Sequence, residues 1–298
     1  MRNVIRGFLG LGLIGAAAGF WITAPRTIDP QTIDGLTGDA ARGEQVFWAG
    51  GCASCHASPS ADSDDMILLT GGKAFATDFG TFYAPNITSD PTHGIGVWRQ
   101  IDLANAILAG VSPSGKHYYP AFPYTSYARL NAQDVVDLWA FMQILPPSDV
   151  ASKAHDVSFP FSVRRGLGLW KQLFAHPEPV VRTDLTAEQQ RGQYLVEGTG
   201  HCGECHSPRN ALGGIDYARW LGGAPNPSGK GTIPNITSGA LDWSEGDIAE
   251  YLSSGFTPEF DSAGGEMAEV VENTARLPQS DRDAIAAYLK AVPPVSNE

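Results

Sequence analysis

Cys52-Ala53-Ser54-Cys55-His56 and Cys202-Gly203-Glu204-Cys205-His206 are the stretches that decide how this chain folds. Cys-x-x-Cys-His is the attachment pattern of c-type haem. Both thiols add to porphyrin vinyl groups, and the adjacent imidazole is held beneath the macrocycle as proximal iron ligand. The chain has 4 cysteines, all in these two runs, so none remains for a disulfide. A structural zinc could use four thiolates, but a histidine directly after each pair is superfluous for it. A thioredoxin-like dithiol needs a strand-to-helix setting, which neither run offers. The sequence therefore predicts two covalently bound haem c groups. Cys52, Cys55, Cys202 and Cys205 are the attachment points, and His56 and His206 the iron ligands.

Working outward, the chain repeats itself. Arg42-Gly43 precedes the first motif and Arg191-Gly192 the second, each followed by an aromatic residue, Phe47 or Tyr194. After the motifs come Pro85-Asn86-Ile87-Thr88-Ser89 and Pro234-Asn235-Ile236-Thr237-Ser238. Trp98, Gly110 and Pro113 recur at the same spacing as Trp243, Gly255 and Pro258, and Leu130–Pro147 matches Leu277–Pro294 without a gap. Each copy reads as three helices. One delivers the haem motif, and one follows the tryptophan with Ile101, Ala104, Ile107 and Leu108 at helical spacing. The third runs over 131–144 or 279–291 and stops before a double proline. No stretch reads as a sheet. The predicted fold is all-α: a signal-anchor segment (1–27), a cytochrome c domain (28–150), a linker (151–182) and a second cytochrome c domain (183–298).

Composition sets limits. The 298 residues suffice for two domains, and a hydrophobic fraction of 43% is ordinary for a globular protein. The balance of 20 Lys+Arg against 32 Asp+Glu gives a net charge of −12, which argues against nucleic acid as partner. At the N-terminus, Arg2 and Arg6 precede the uncharged run Gly7–Ala24. As a helix that run would be about 27 Å long, close to a bilayer's hydrocarbon core. The arginines would leave the N-terminus in the cytoplasm and the bulk of the chain outside. A cleaved signal peptide is the competing reading, with Ala16-Ala17-Ala18 as processing site. The continuation through Phe20-Trp21-Ile22 favours a retained anchor in the bacterial inner membrane, the remainder facing the periplasm.

The copies differ in the distal ligand. Met267 precedes the last helix in a segment read as irregular, from which a thioether could reach the second iron. The corresponding position in the first copy is Pro120, beside Ala121 and Phe122. Met142 falls on a core face, and Met66 lies too soon after His56 to reach the opposite side of that haem. His117 could ligate, although a lone loop histidine is more often exposed. The first haem is therefore bis-histidine, unusually ligated or five-coordinate. His93, His155, His176 and His201 read as surface residues. Pro59 and Pro208, just past the haem histidines, are candidates to supply carbonyls that fix the imidazole tautomer. The apolar, basic segment 159–174, with Arg164, Arg165 and Lys171, reads as a clamp between domains, or as a surface for a partner or membrane.

Several loop strings carry a more specific resemblance. Phe79-Gly80-Thr81-Phe82-Tyr83-Ala84-Pro85-Asn86-Ile87-Thr88, His117-Tyr118-Tyr119-Pro120-Ala121-Phe122-Pro123-Tyr124-Thr125-Ser126-Tyr127 and Met267-Ala268-Glu269-Val270-Val271 resemble the membrane-anchored cytochrome c subunits of periplasmic alcohol, aldehyde and gluconate dehydrogenases. The cytochrome subunits of related molybdenum hydroxylases are similar. Phe159-Pro160-Phe161 and Trp170 in the linker also look like theirs. The resemblance implies an electron-transfer subunit beside a separate catalytic subunit. Many relatives carry three haem domains where this chain has two, so a direct quinone-reducing role is not implied. Relatives also commonly place methionine where Phe122 or Leu130 stands here.

The functional expectation is a dihaem relay taking single electrons from a periplasmic dehydrogenase to a downstream cytochrome or terminal oxidase. The alternatives are a dihaem enzyme of peroxidase or sulfur-compound oxidase type, with an open site at the first haem, and a diffusing shuttle. An enzyme would need a positioned acid–base group, and no residue stands out as one.

Overall fold

The computed structural model describes residue 15 and residues 17–59, 66–227 and 231–296. Residues 17–22 are helical. In the first half, α1 (Ala40–Ala49) leads to the motif helix α2 (Cys52–His56), a hairpin of β1 (Ala74–Thr77) and β2 (Gly80–Tyr83), then α3 (Gln100–Ala109), α4 (Tyr124–Tyr127) and α5 (Ala132–Met142). The linker holds α6 (Leu167–Phe174). The second half repeats the order. It comprises α7 (Ala187–Gln193), continued by a π-helical turn Tyr194–Thr199, the motif helix α8 (Gly203–His206), β3 (Ala224–Pro225), β4 (Thr232–Ile233), α9 (Glu245–Ser254), α10 (Glu266–Thr274) and α11 (Gln279–Ala291).

The repeated residues explain the repeated elements. In each half the first helix crosses the last at a glycine. A Cβ on Gly43 would sit 2.0 Å from the Asp137 carbonyl oxygen, and one on Gly192 1.8 Å from that of Ala284. No side chain larger than hydrogen permits that approach, which is why Arg-Gly recurs. Gly110 and Gly255, at φ 59 and 77, end α3 and α9 in the left-handed conformation that glycine adopts without penalty. Side chains cap the helix starts: Asp39 on α1, Thr186 with Gln189 on α7, and Ser244 with Asp247 on α9.

Two hydrophobic clusters form the interior. The first contains Phe47, Leu69, Val135, Leu138 and Met142, and the second Val196, Leu221, Ile285, Tyr288 and Leu289. Each fully buried large apolar side chain contributes about 1.5–3 kcal/mol. Met142 packs in the first cluster, as its place on the helix face implied.

The structure corrects the sequence reading in two places. The fold is mostly helical but not all-α, because antiparallel hairpins pair Ala74 with Tyr83 and Ala224 with Ile233. Phe75, Thr81, Phe82 and Tyr83 suit a pleated surface, and Phe82 buries its ring against Tyr119. The segment holding Met267 is the helix α10, not an irregular stretch. In the linker, α6 braces both halves, in line with the reading of 159–174 as a clamp. From α6, Lys171 Nζ donates to the Ala109 and Gly110 carbonyls at 2.7 Å each, while Trp170 Nε1 donates to the Leu212 carbonyl at 2.8 Å. Phe174 packs over Gly214. Finally, most of the predicted anchor lies outside the described residues. Among those described, no helix is long and apolar enough to cross a membrane.

Candidate haem sites

Each motif occupies one helical turn, so its two cysteines lie on one side with the histidine immediately after. No disulfide joins any two of the four cysteines. Burial pushes Cys52 and Cys202 up to about 12, and Cys55 and Cys205 up to about 11. A disulfide-exchange cysteine has a lowered pKa, the opposite of what these four show. Among the described residues, no three His, Cys, Asp or Glu side chains converge as metal ligands.

The histidines are prepared identically. His56 Nδ1–H donates to the Pro85 carbonyl at 2.8 Å, and His206 Nδ1–H to the Pro234 carbonyl at 2.8 Å. A carbonyl only accepts, so the proton sits on Nδ1 and Nε2 keeps its lone pair. Burial holds both imidazoles below the ordinary histidine range despite the opposing pull of the carbonyl. A neutral ring with an available Nε2 is the form that binds iron, and its Nδ1–H partner increases its basicity. The donor set therefore fits haem c at both places.

The orienting carbonyls are not those predicted. Pro208 accepts instead from the Asp216 amide at 2.8 Å, and Pro59 packs against Gly72. The carbonyls come from the repeated Pro-Asn-Ile-Thr-Ser loops, which buried asparagines lock. Asn86 Oδ1 accepts from Thr88 N–H and Oγ1 at 2.9 and 2.8 Å, while its Nδ2 donates to the Ser148 and Val150 carbonyls. Asn235 does the same with Thr237 and the Val295 carbonyl.

Met267 is partly buried in the first turn of α10 and packs against the second cluster, the one that also takes in Cys202. His117 is neither exposed nor free. It is 3% accessible, and its Nε2–H donates to the Thr23 carbonyl at 3.0 Å. That bond ties the N-terminal segment to the first half, while Nδ1 of the same ring is buried without a partner. Met66 is buried in the first cluster. His93, His155 and His176 are exposed, His155 nonetheless accepting from the Tyr83 amide at 3.1 Å.

His201 was misread as a surface residue. It stands at φ 41 with its ring 5.5 Å from that of Tyr127, and its Nδ1 is buried without a partner. A Cβ on Gly51, just before the first motif, would lie 3.7 Å from the His201 ring. The two motifs thus abut. Glu204, inside the second motif, accepts from Thr125 and Ser126 of the first half at 2.9 Å each. Lys73 joins Glu269 across the same seam at 2.6 Å. No sequence pattern marked Ser54, Glu204 or Asn273, because the varying positions of a haem motif carry no signal of their own.

The comparisons with known proteins agree with this geometry. The cytochrome c family model matches residues 40–146. A dihaem c-type cytochrome from Cereibacter sphaeroides is 60% identical over 99% of this chain and 100% of its own length. This chain belongs to the dihaem c-type cytochromes. The fructose dehydrogenase cytochrome subunit of Gluconobacter japonicus is 38% identical, over 85% of this chain and 52% of that protein. The gluconate 2-dehydrogenase cytochrome c subunit of Pantoea cypripedii is 37% identical, over 89% and 61% respectively. The chain therefore spans only part of these two dehydrogenase subunits. Membership of the family means covalently bound haem c and electron transfer.

Proposed function

We propose that this dihaem cytochrome relays single electrons from a periplasmic dehydrogenase to a downstream cytochrome or terminal oxidase. In this reading it sits on the periplasmic face of the bacterial inner membrane, held by its N-terminal segment. Residues 28–150 and 183–298 form the two haem domains, joined by 151–182. Haem, when attached, supplies an iron that takes up and releases one electron, with a potential set by axial ligands and burial. Cys52 and Cys55 hold the first group and His56 ligates it. Cys202 and Cys205 would hold the second, with His206 and Met267 as the residues that would ligate its iron. A dehydrogenase as donor is supported by the similarity to named dehydrogenase subunits; the substrate would belong to that other subunit.

The observation that carries the reading is the abutment of two equivalent motifs, each histidine turned by its own proline carbonyl. A relay needs its two centres close together, and the abutting motifs support that reading. The test is the haem content and spin state of the holoprotein matured in a cytochrome c-competent host. Two covalent haems per chain, both reduced by a dehydrogenase-linked donor, are expected. A single covalent haem, or none, overturns the reading.

Pro120 standing where the second half has Met267 favours a second reading, an enzyme with an open distal site at the first haem. A high-spin ferric signal that cyanide or peroxide converts would favour that enzyme over the relay.

A further inference from the structure

The linker helix α6 turns two faces in different directions. Its inner face carries Trp170, Lys171 and Phe174, engaged with both halves as described. Leu169 and Leu173, one turn apart, point outward at 50% and 52% exposure. Phe159 lies nearby in sequence at 82% exposure, and Leu212, whose carbonyl Trp170 engages, is 57% exposed. Scattered exposed apolar residues need no explanation, but Leu169 and Leu173 form one outward strip on α6.

The N-terminal segment runs along that strip. Gln172 Nε2 donates to the Ile22 carbonyl at 2.6 Å, and Arg165 Nε to Thr23 Oγ1 at 3.1 Å. The Arg165 guanidinium also lies 4.0 Å over the Phe20 ring. Gly168 admits the Thr23 backbone so closely that a Cβ there would be 2.3 Å from its carbonyl oxygen. Phe20 and Trp21 stay 69% and 71% exposed beside it. The end of the uncharged run, Phe20 to Thr23, therefore meets the folded protein along α6.

Charge separates this edge from the rest of the molecule. The chain carries 32 Asp+Glu, yet none lies before Asp29 and none between Val157 and Pro177. Those stretches instead hold Arg26, Arg164 and Arg165 in an otherwise acidic protein. Apolar side chains rimmed by cations, with acid excluded, match an anionic lipid surface.

We propose that α6 and the flanking segment 159–163 form a ledge that rests in the interfacial layer of an anionic phospholipid bilayer, with Leu169 and Leu173 dipping into the acyl boundary. The ledge rests on the reading of residues 1–27 as an anchor and goes beyond it. A single span would leave the domains free to swivel. A ledge fixed to the same segment sets the height and tilt of both haem motifs above the membrane.

The test uses the full-length holoprotein in vesicles of phosphatidylethanolamine and phosphatidylglycerol, each label compared with the same label in detergent-solubilised protein. Nitroxide labels are placed through L169C and L173C, with V97C and I144C as exposed controls. The ledge labels should be roughly fivefold less accessible to a water-soluble nickel chelate than the controls, and more accessible to oxygen. Replacing phosphatidylglycerol by a zwitterionic lipid should weaken that contrast. If the protein floats with the vesicles but the ledge labels are as water-accessible as the controls, the ledge is overturned and the anchor stands. If the protein does not float with the vesicles, the anchor reading fails. Labels that become shielded only on adding a dehydrogenase subunit would assign the strip to protein docking and also overturn the ledge.

Discussion

Asn273 donates a 2.7 Å hydrogen bond to Ser54, the third residue of the first haem motif. Ser126, which precedes Leu130 by the same interval that separates Asn273 from Leu277, donates at 2.9 Å to Glu204, the third residue of the second motif. Equivalent positions thus make reciprocal bonds across the seam. Arg129 and Arg276 repeat the arrangement, Arg129 lying 3.7 Å from Glu197 and Arg276 lying 4.2 Å over Trp48. Trp48 and Glu197 stand at equal distances after Arg42 and Arg191. The halves therefore meet about a local two-fold axis, as an isologous interface does.

These seam bonds predict coupling between the halves. A double-mutant cycle on S54A and N273A should return a coupling of about 1 kcal/mol in unfolding free energy. E204A leaves the Thr125 and Ser126 hydroxyls without their acceptor, removes the carboxylate paired with Arg209, and should cost about 2 kcal/mol. Both variants should also change the separation between the two haem potentials in a spectroelectrochemical titration. Unchanged potentials together with unchanged stability would show the seam to be loose in solution.

Replacing Met267 should alter one haem alone. If Met267 ligates the second iron as proposed, M267A should lower that haem's potential and give it an exchangeable distal position. The charge-transfer absorption of methionine-ligated ferric haem should disappear. Its persistence in M267A would exclude Met267 as ligand.

The asparagine loops predict an effect on ligand basicity. N86A frees the Pro85 loop from the Ser148 and Val150 carbonyls and so loosens the partner of His56 Nδ1. Weakening that bond lowers imidazole basicity and should raise the first haem's potential, with a softened iron–histidine vibration by resonance Raman. N235A should do the same at the second haem. Stability should fall by about 2 kcal/mol in each variant.

Acid stability should depend on Asp137. Burial opposes ionisation there, but Arg42 at 2.7 and 2.9 Å, the Asp39 amide and Gln133 outweigh it and hold the carboxyl below its usual range. A carboxylate with a depressed folded pKa stabilises the fold above its unfolded value, near 3.9, and loses that contribution as pH falls through the folded value. D137N should therefore be less stable than the parent at neutral pH, and the gap should close below about pH 4. A gap independent of pH in denaturant titrations would show that the ion pair contributes nothing.

Much of this was legible in the residues. The haem motifs, the internal repeat with its Arg-Gly pairs and the helix after each tryptophan all rest on spacing, and spacing survives in a sequence. What escaped depended on contacts between distant segments. The hairpin over Ala74–Tyr83 is too short to give a periodic signal. The repeated Pro-Asn-Ile-Thr-Ser string was visible, but only the fold reveals that its proline carbonyl meets the histidine. His117 and His201 look like loop histidines until the N-terminal segment and the neighbouring half cover them. Ser54, Glu204 and Asn273 acquire meaning only when the two halves are set against each other.

The local two-fold axis also bears on descent. A single-haem ancestor bearing both sides of this seam would have paired with a second copy of itself, at a level set by its concentration. Joining the copies through residues 151–182 makes that encounter intramolecular, at an effective concentration on the order of millimolar. From then on each copy was free to diverge, one keeping a thioether at position 267 and the other a proline at position 120. A symmetric pair would give an electron no preferred direction, and a fused, diverged pair can.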